Sequence, residues 1–240
     1  MKYLFLALTT TFSFSAFAAK TETKEFDAKY VKSLVVENMA GVINITGVDN
    51  PKMIVVADQE KFPADCRMEI SQEGTEVTVK VDQKSFLRKD CVVNFTINVP
   101  TAVNMNIRQG SGNLTIINTK GAIDYKVGAG DVSIDSEIEK IDGKMGSGST
   151  TVKGLKGDAH FFAGTGAHKL TYAVAPKKGE LEVKTGTGDA DIYMPSDSKV
   201  SIDAKMGVGK TNNELGESTK GKFKIVFKAG SGNLNIHKKD

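Results

Sequence analysis

The chain has 240 residues, with 32 Lys and Arg against 29 Asp and Glu, a formal net charge of +3 and 40% hydrophobic residues. So even a charge balance gives no bulk attraction to nucleic acid, and no stretch beyond the N-terminus is long and apolar enough to span a bilayer. The length holds one large all-β domain or two small ones.

The chain opens MKYLFLALTTTFSFSAFAAK, with Lys2 before an apolar run and Ala16-Phe17-Ala18 as an A-x-A cleavage site. This predicts a signal peptide over residues 1–18, cut between Ala18 and Ala19. The run is too short and too rich in hydroxyls for a membrane anchor, and no Cys follows the cut to carry a lipid. The product is expected in the periplasm, on the cell surface or in the medium, which argues against ATP chemistry. Residues 19–240 then read as one β-rich domain.

The segment LVVENMAGVINI, Leu34 to Ile45, is a degenerate early copy of the strand–glycine–strand repeat that dominates the chain from residue 105, and the solenoid is expected to begin there. Residues 52–100 add MIVVA, CRMEI, EVTVKV and VVNFTINV, an irregular β-rich part that is either an insertion or first coils with long excursions. It carries both cysteines, Cys66 and Cys91. In an oxidising compartment the expected state is a disulfide between neighbouring strands. The alternative is a catalytic thiol at Cys91, beside Lys89 and Asp90, but no His lies near it in sequence.

From residue 105 a repeat takes over. G-x-G occurs at Gly110, Gly128, Gly146, Gly164, Gly186, Gly207 and Gly230, first at steps of 18 and then of 22, 21 and 23 residues. The segments before each pair begin with Met105, Ile123, Ile141, Ala159, Leu181, Ile202 and Ile225 and alternate apolar with polar, so each is a strand with one buried face. The segments after them (NLTI, DVSI, STTV, AHKL, DADI, NLNI) form a second strand; the sixth copy departs, with Asn213 at the inward position. This predicts a single-domain β-solenoid, parallel β-helix-like, with G-x-G corners every 18–23 residues and regular coils over 105–237. Seven coils at the strand spacing make a rod of about 34 Å. Glycine suits the corners, where backbones stack closely or φ is positive.

The stretch AKMGVGKT, Ala204 to Thr211, spells a relaxed phosphate loop. A working loop opens a helix at its Lys-Thr. Here residues 211–222 hold one apolar residue, Leu215, and are broken by Gly216 and Gly221, so no amphipathic helix follows. The glycines are the sixth copy of the repeat.

The units GSGNLTI, GAGDVSI and GTGDADI, with FTINVP before the first regular coil, resemble the bacterial putative-adhesin family of exported proteins over most of residues 33–237. The resemblance implies a β-helix-like fold and an envelope or surface setting. It brings no catalytic residues.

Two outward columns could carry chemistry. Arg108, Lys126, Lys144, Phe162, Lys184, Lys205 and Lys228 stand two residues before the glycines, and Asn106, Asp124, Asp142, His160, Glu182, Asp203 and Val226 four before. A charged stripe can bind a polyanion or cleave a glycan. The favoured expectation is that each acid neutralises the base two residues on, leaving a solvated face. A calcium ladder is disfavoured, because Asp131, Asp189 and Asp191 recur in too few copies and the paired glycines of toxin repeats are absent. His160 and His168 lack a third zinc ligand, and no cofactor is expected. The extra residues of the later coils all fall in one connection, TYAVAPKKGE, YMPSDSKVS and NELGESTKGKFK. Insertions on one side commonly form a binding face, which makes Lys177, Lys178, Lys220 and Lys222 candidate partner contacts. The expected function is a non-catalytic, adhesin-like interaction or structural module of the envelope, with a polysaccharide or protein partner. The alternative is a polysaccharide-active β-helix lyase or hydrolase.

Overall fold

The structure, a computed structural model, describes residues 20–84, 91–216 and 221–239, and the predicted signal peptide lies outside the described residues. Alternating sequences become strands almost throughout: the fold is all-β, and the described residues are 74% strand with no α-helix among them. The N-terminal strands are β1 (Lys20–Asp27), β2 (Ser33–Ala40), β3 (Ile43–Val48), β4 (Lys52–Lys61), β5 (Cys66–Glu73), β6 (Glu76–Gln83) and β7 (Val92–Pro100). The repeats supply β8 (Asn104–Ser111), β9 (Leu114–Ile117), β10 (Ile123–Ala129), β11 (Val132–Ser147), β12 (Thr150–Thr165), β13 (His168–Tyr172), β14 (Gly179–Thr187), β15 (Ala190–Pro195), β16 (Val200–Val208), β17 (Thr211–Asn213), β18 (Phe223–Ser231) and β19 (Leu234–Lys239).

Strands that end at a G-x-G, with β2 and β6 added at one end, form one ladder in the order β6–β2–β8–β10–β11–β12–β14–β18–β16, all parallel. Strands that follow a G-x-G, with β3 and β7 added at one end, form a second parallel ladder, β7–β3–β9–β11–β12–β13–β15–β19–β17. The long strands β11 and β12 belong to both, pairing through their first halves in the second ladder and their last halves in the first. Their continuity, with one bridge between Ala40 of β2 and Val92 of β7, closes a ring of seven parallel strands, β2–β8–β10–β11–β9–β3–β7. The expectation was a β-solenoid of stacked coils; the structure has this closed seven-strand parallel barrel instead of an evident solenoid.

Inside, apolar columns stack across the ladders. Leu34, Met105, Ile123, Ile141, Ala159, Leu181 and Ile225 form one, each buried. Size is complemented between neighbours: Gly143 lies against Tyr125, whose ring occupies the space of a Cβ there, and the Tyr125 hydroxyl lies 3.3 Å from Thr150 Oγ1.

The irregular part, 52–100, extends the stack and then caps it. β6 and β7 continue the parallel ladders beyond β2 and β3, while β5, β4 and β1 add antiparallel strands outside them. The outermost strand β1 reads KTETKEFD, and such charge keeps an edge from recruiting another sheet. Cys66 and Cys91 are joined by a disulfide, Cα atoms 5.9 Å apart, which ties the start of β5 to the entry of β7 across 25 residues. Loop closure of that length contributes about 3 kcal/mol. The double substitution Cys66→Ser/Cys91→Ser should therefore lower Tm by about 10 °C, and added reductant should lower the wild-type Tm to the same value.

At the other end the order of the paired strands departs from the order of the chain. β18 and β19, the seventh copy, lie between the fifth copy (β14, β15) and the sixth (β16, β17). Stacking in chain order was the expectation, and the pairing of β18 with β14 and of β19 with β15 corrects it. This accounts for the irregular sixth copy. As the terminal layer it is covered on one side only, so Val208 is 71% exposed and Asn213 bonds its own turn through Leu215 N and Gly216 O.

Candidate functional site

The site follows from the side-chain period of the first ladder. Residues two apart share its outward face, so most repeats present an acidic or polar residue, then a basic one, then the first glycine of G-x-G; the fourth has Phe162 in the basic place and the seventh has the buried Val226 in the acidic one. Register aligns these across coils: Glu37 with Arg108, then Lys126, Lys144, Phe162, Lys184, Lys228 and Lys205. Beside that column runs a strip without side chains, Gly110, Gly128, Gly146, Gly164, Gly186 and Gly230. A Cβ on each of the last five would overlap or crowd a glycine carbonyl of the neighbouring coil. The strip and the basic column bound an open groove of about 1280 Å³ that crosses the coils from Glu37 to Lys205.

Of the four acid–base pairs expected along the strands, two form and two do not. Glu182 pairs with Lys184 at 2.6 Å, and Asp203 with Lys205 at 4.0 Å and Lys224 at 3.6 Å. Asp142 instead meets His160 of the next coil, 2.9 Å away, and Asp124 makes no ion pair with Lys126. Residues two apart along a strand are separated by more than 6 Å, whereas cross-strand neighbours lie about 4.8 Å apart. Glu182 bridges the longer gap with its extra methylene, and Asp142 takes the nearer partner. Among the described residues Arg108, Lys126 and Lys228 form no salt bridge. Lys144 and Lys184 approach the half-exposed Phe162 ring from neighbouring strands, Nζ 5.8 and 4.8 Å from its centroid.

Other candidates resolve into structure. The residues of AKMGVGKT form β16, a corner and β17, and the Lys210 amide donates to Asn233 Oδ1, so no helix N-terminus faces a phosphate. Asp131 accepts from the Ser149 amide and Asp189 from the Asn233 amide, each at the same turn of successive layers. Their carboxylates thus hold turns together. Among the described residues no group of three or more His, Cys, Asp or Glu could hold a metal ion.

His160 and His168 do not share a site. His160 is outward, whereas His168 is 1% exposed, near Phe161 at 5.9 Å between ring centres, with neither ring nitrogen hydrogen-bonded. Burial pushes its pKa down to about 4. His237 stacks on Tyr193 at 4.7 Å and lies 3.2 Å from Asp191 and 3.3 Å from Glu214. Its pKa is raised chiefly by the Asp191 hydrogen bond. Glu214 also accepts from the Lys238 amide, so this cluster clamps the terminal layer onto the chain end.

Lys177 and Lys178 are exposed in the connection before β14, Lys222 is exposed just before β18, and Lys220 lies outside the described residues. Gly179 pairs with Phe223, so the residues before them, Lys178 and Lys222, stand at the entries of adjacent strands. The basic groove lies toward the far end of the same strands.

No family model and no curated protein matches the chain. Among solved structures it is similar to a putative cell adhesion protein of Clostridium sporogenes, with 17% identity and a TM-score of 0.41 over 92% of this chain and 100% of that one. It is similar to a putative adhesin of Bacteroides fragilis, with 14% identity and a TM-score of 0.45 over 91% and 98%. A putative lipid binding protein of Parabacteroides distasonis matches at 11% identity and a TM-score of 0.38 over 91% and 97%. Among the described residues no helix is long and apolar enough to cross a membrane.

Proposed function

We propose that the protein is a non-catalytic binding module of the bacterial cell envelope, exported by its N-terminal segment, and that its ligand lies along the groove of the first ladder. We read the two ladders as faces of a β-solenoid whose coils each add one increment of groove. The in-register pairing of residues 18 apart supports the coil reading. The observation that carries the binding reading is the groove itself, continuous over the coils, with a backbone floor and a wall of cations that the acidic column leaves largely unneutralised. Incubation of the purified protein with envelope and extracellular polysaccharides tests this when retained protein and newly formed chain ends are measured together. Retention without new ends is the expected result. New ends, lost on changing Asp124 and Asp142, would make the protein an enzyme instead.

Lys177, Lys178, Lys220 and Lys222 form a second contact in this proposal, with Lys178 and Lys222 at the entries of neighbouring strands and Lys220 outside the described residues, and there the partner is a protein. Changing all four to Gln should reduce crosslinking to envelope proteins by about three- to tenfold, mainly through slower association. Tm should not move, because Lys177, Lys178 and Lys222 are exposed and none of them forms an ion pair among the described residues.

A further inference from the structure

Resting on the binding-module reading above, we infer that the groove holds a linear acidic polysaccharide, one charged sugar to about one coil, along the glycine strip and against the cation column. Three features point to this class. The cations recur at the strand spacing of about 4.8 Å, close to the advance of an extended chain by one sugar ring. Arg108, Lys126 and Lys228 have no carboxylate partner of their own among the described residues, so an incoming carboxylate displaces no ion pair there. The acids, Asp124 and Asp142 among them, stand on the far side of the cations from the glycines and repel a polyanion from crossing the column, which keeps it in the trough.

The floor and the single aromatic favour sugar over nucleic acid. Sites for single-stranded nucleic acid stack successive bases on successive aromatic side chains. Here one ring, Phe162, stands among the cations, flanked by Lys144 and Lys184. Its exposed face suits the C–H side of one sugar, and the neighbouring ammoniums suit that sugar's carboxylate. The side-chain-free glycines let a flat ring lie close to the backbone. At the groove's N-terminal end Asn38 and Gln109 turn inward, their amide nitrogens donating to the Val93 and Gly41 carbonyls, so the outward side chains alone meet the ligand. Glu37, paired with Lys80 at 3.5 Å, ends the cation column there.

The test uses the full chain on immobilised polygalacturonate, neutral dextran and oligodeoxythymidylate. Retention on polygalacturonate, released by salt, is expected, with little on dextran. The triple variant Lys126→Gln/Lys144→Gln/Lys228→Gln should lose about tenfold in affinity, and Phe162→Ala about three- to tenfold. The variant Lys177→Gln/Lys178→Gln/Lys222→Gln removes the same charge elsewhere and should bind polygalacturonate as the wild type does. Equal losses in both triple variants would reduce the effect to net charge and overturn the inference, as would absence of retention on polygalacturonate. Tighter retention on oligodeoxythymidylate, indifferent to Phe162→Ala, would overturn it in favour of nucleic acid. Retention on dextran alone would overturn the acidic ligand and leave the binding module standing, whereas release of new chain ends would remove the binding-module reading itself.

Discussion

Gly148→Ala is expected to lower Tm by about 10–15 °C. Gly148 has φ +128°, which L-residues rarely adopt, and a Cβ there would overlap the Gly130 carbonyl oxygen of the neighbouring coil. The backbone conformation costs about 1–3 kcal/mol, and forcing two stacked corners apart costs about as much again. For a domain of this size each kcal/mol moves Tm by about 2–4 °C. Gly74→Ala provides the comparison. Gly74 has φ +56° with nothing within 4 Å of an added Cβ, so only the local backbone cost applies. That cost is about 1 kcal/mol. Thermal unfolding of both variants separates the two contributions. Equal shifts would mean that close stacking of the corners contributes nothing.

Replacing His168 by Leu should remove most of the acid sensitivity of the fold. In the native protein the buried ring stays neutral down to about pH 4, whereas in the unfolded chain it protonates near its ordinary value of about 6.5. Between those values the unfolded state binds the extra proton. Stability contributed by the neutral ring is therefore complete above pH 6.5 and is lost as pH falls toward 4, by about 3 kcal/mol in all. Leu fits the position: Leu114 and Leu234 fill the same inward column in other coils. His237 works in the opposite sense. Its raised pKa contributes stability at low pH that is lost as pH rises through the folded value, so it cannot produce a loss toward acid. Tm measured from pH 4 to 7.5 should slope upward in the wild type and much less in His168→Leu. Parallel profiles would show that the acid response arises elsewhere.

What could be read from the chain alone was whatever depends on residues close in sequence. Apolar positions two apart, such as Met105 and Ile107, mark a buried strand face because side chains alternate across a strand. The paired glycines mark corners because a side chain there meets a neighbouring backbone. Those two rules located the repeat strands, and they disposed of the phosphate loop at Ala204 to Thr211. Three features lay beyond their reach. Parallel backbone ladders carry no address, so nothing local placed the seventh copy beneath the sixth; Asn213 recorded the outcome without explaining it. The ion pairs depended on reach across strands against reach along one, so Asp142 belonged to His160 and not to Lys144. The groove arose only when glycines distant in sequence were stacked in register, because a missing side chain becomes a concavity only when its neighbours above and below lack one too.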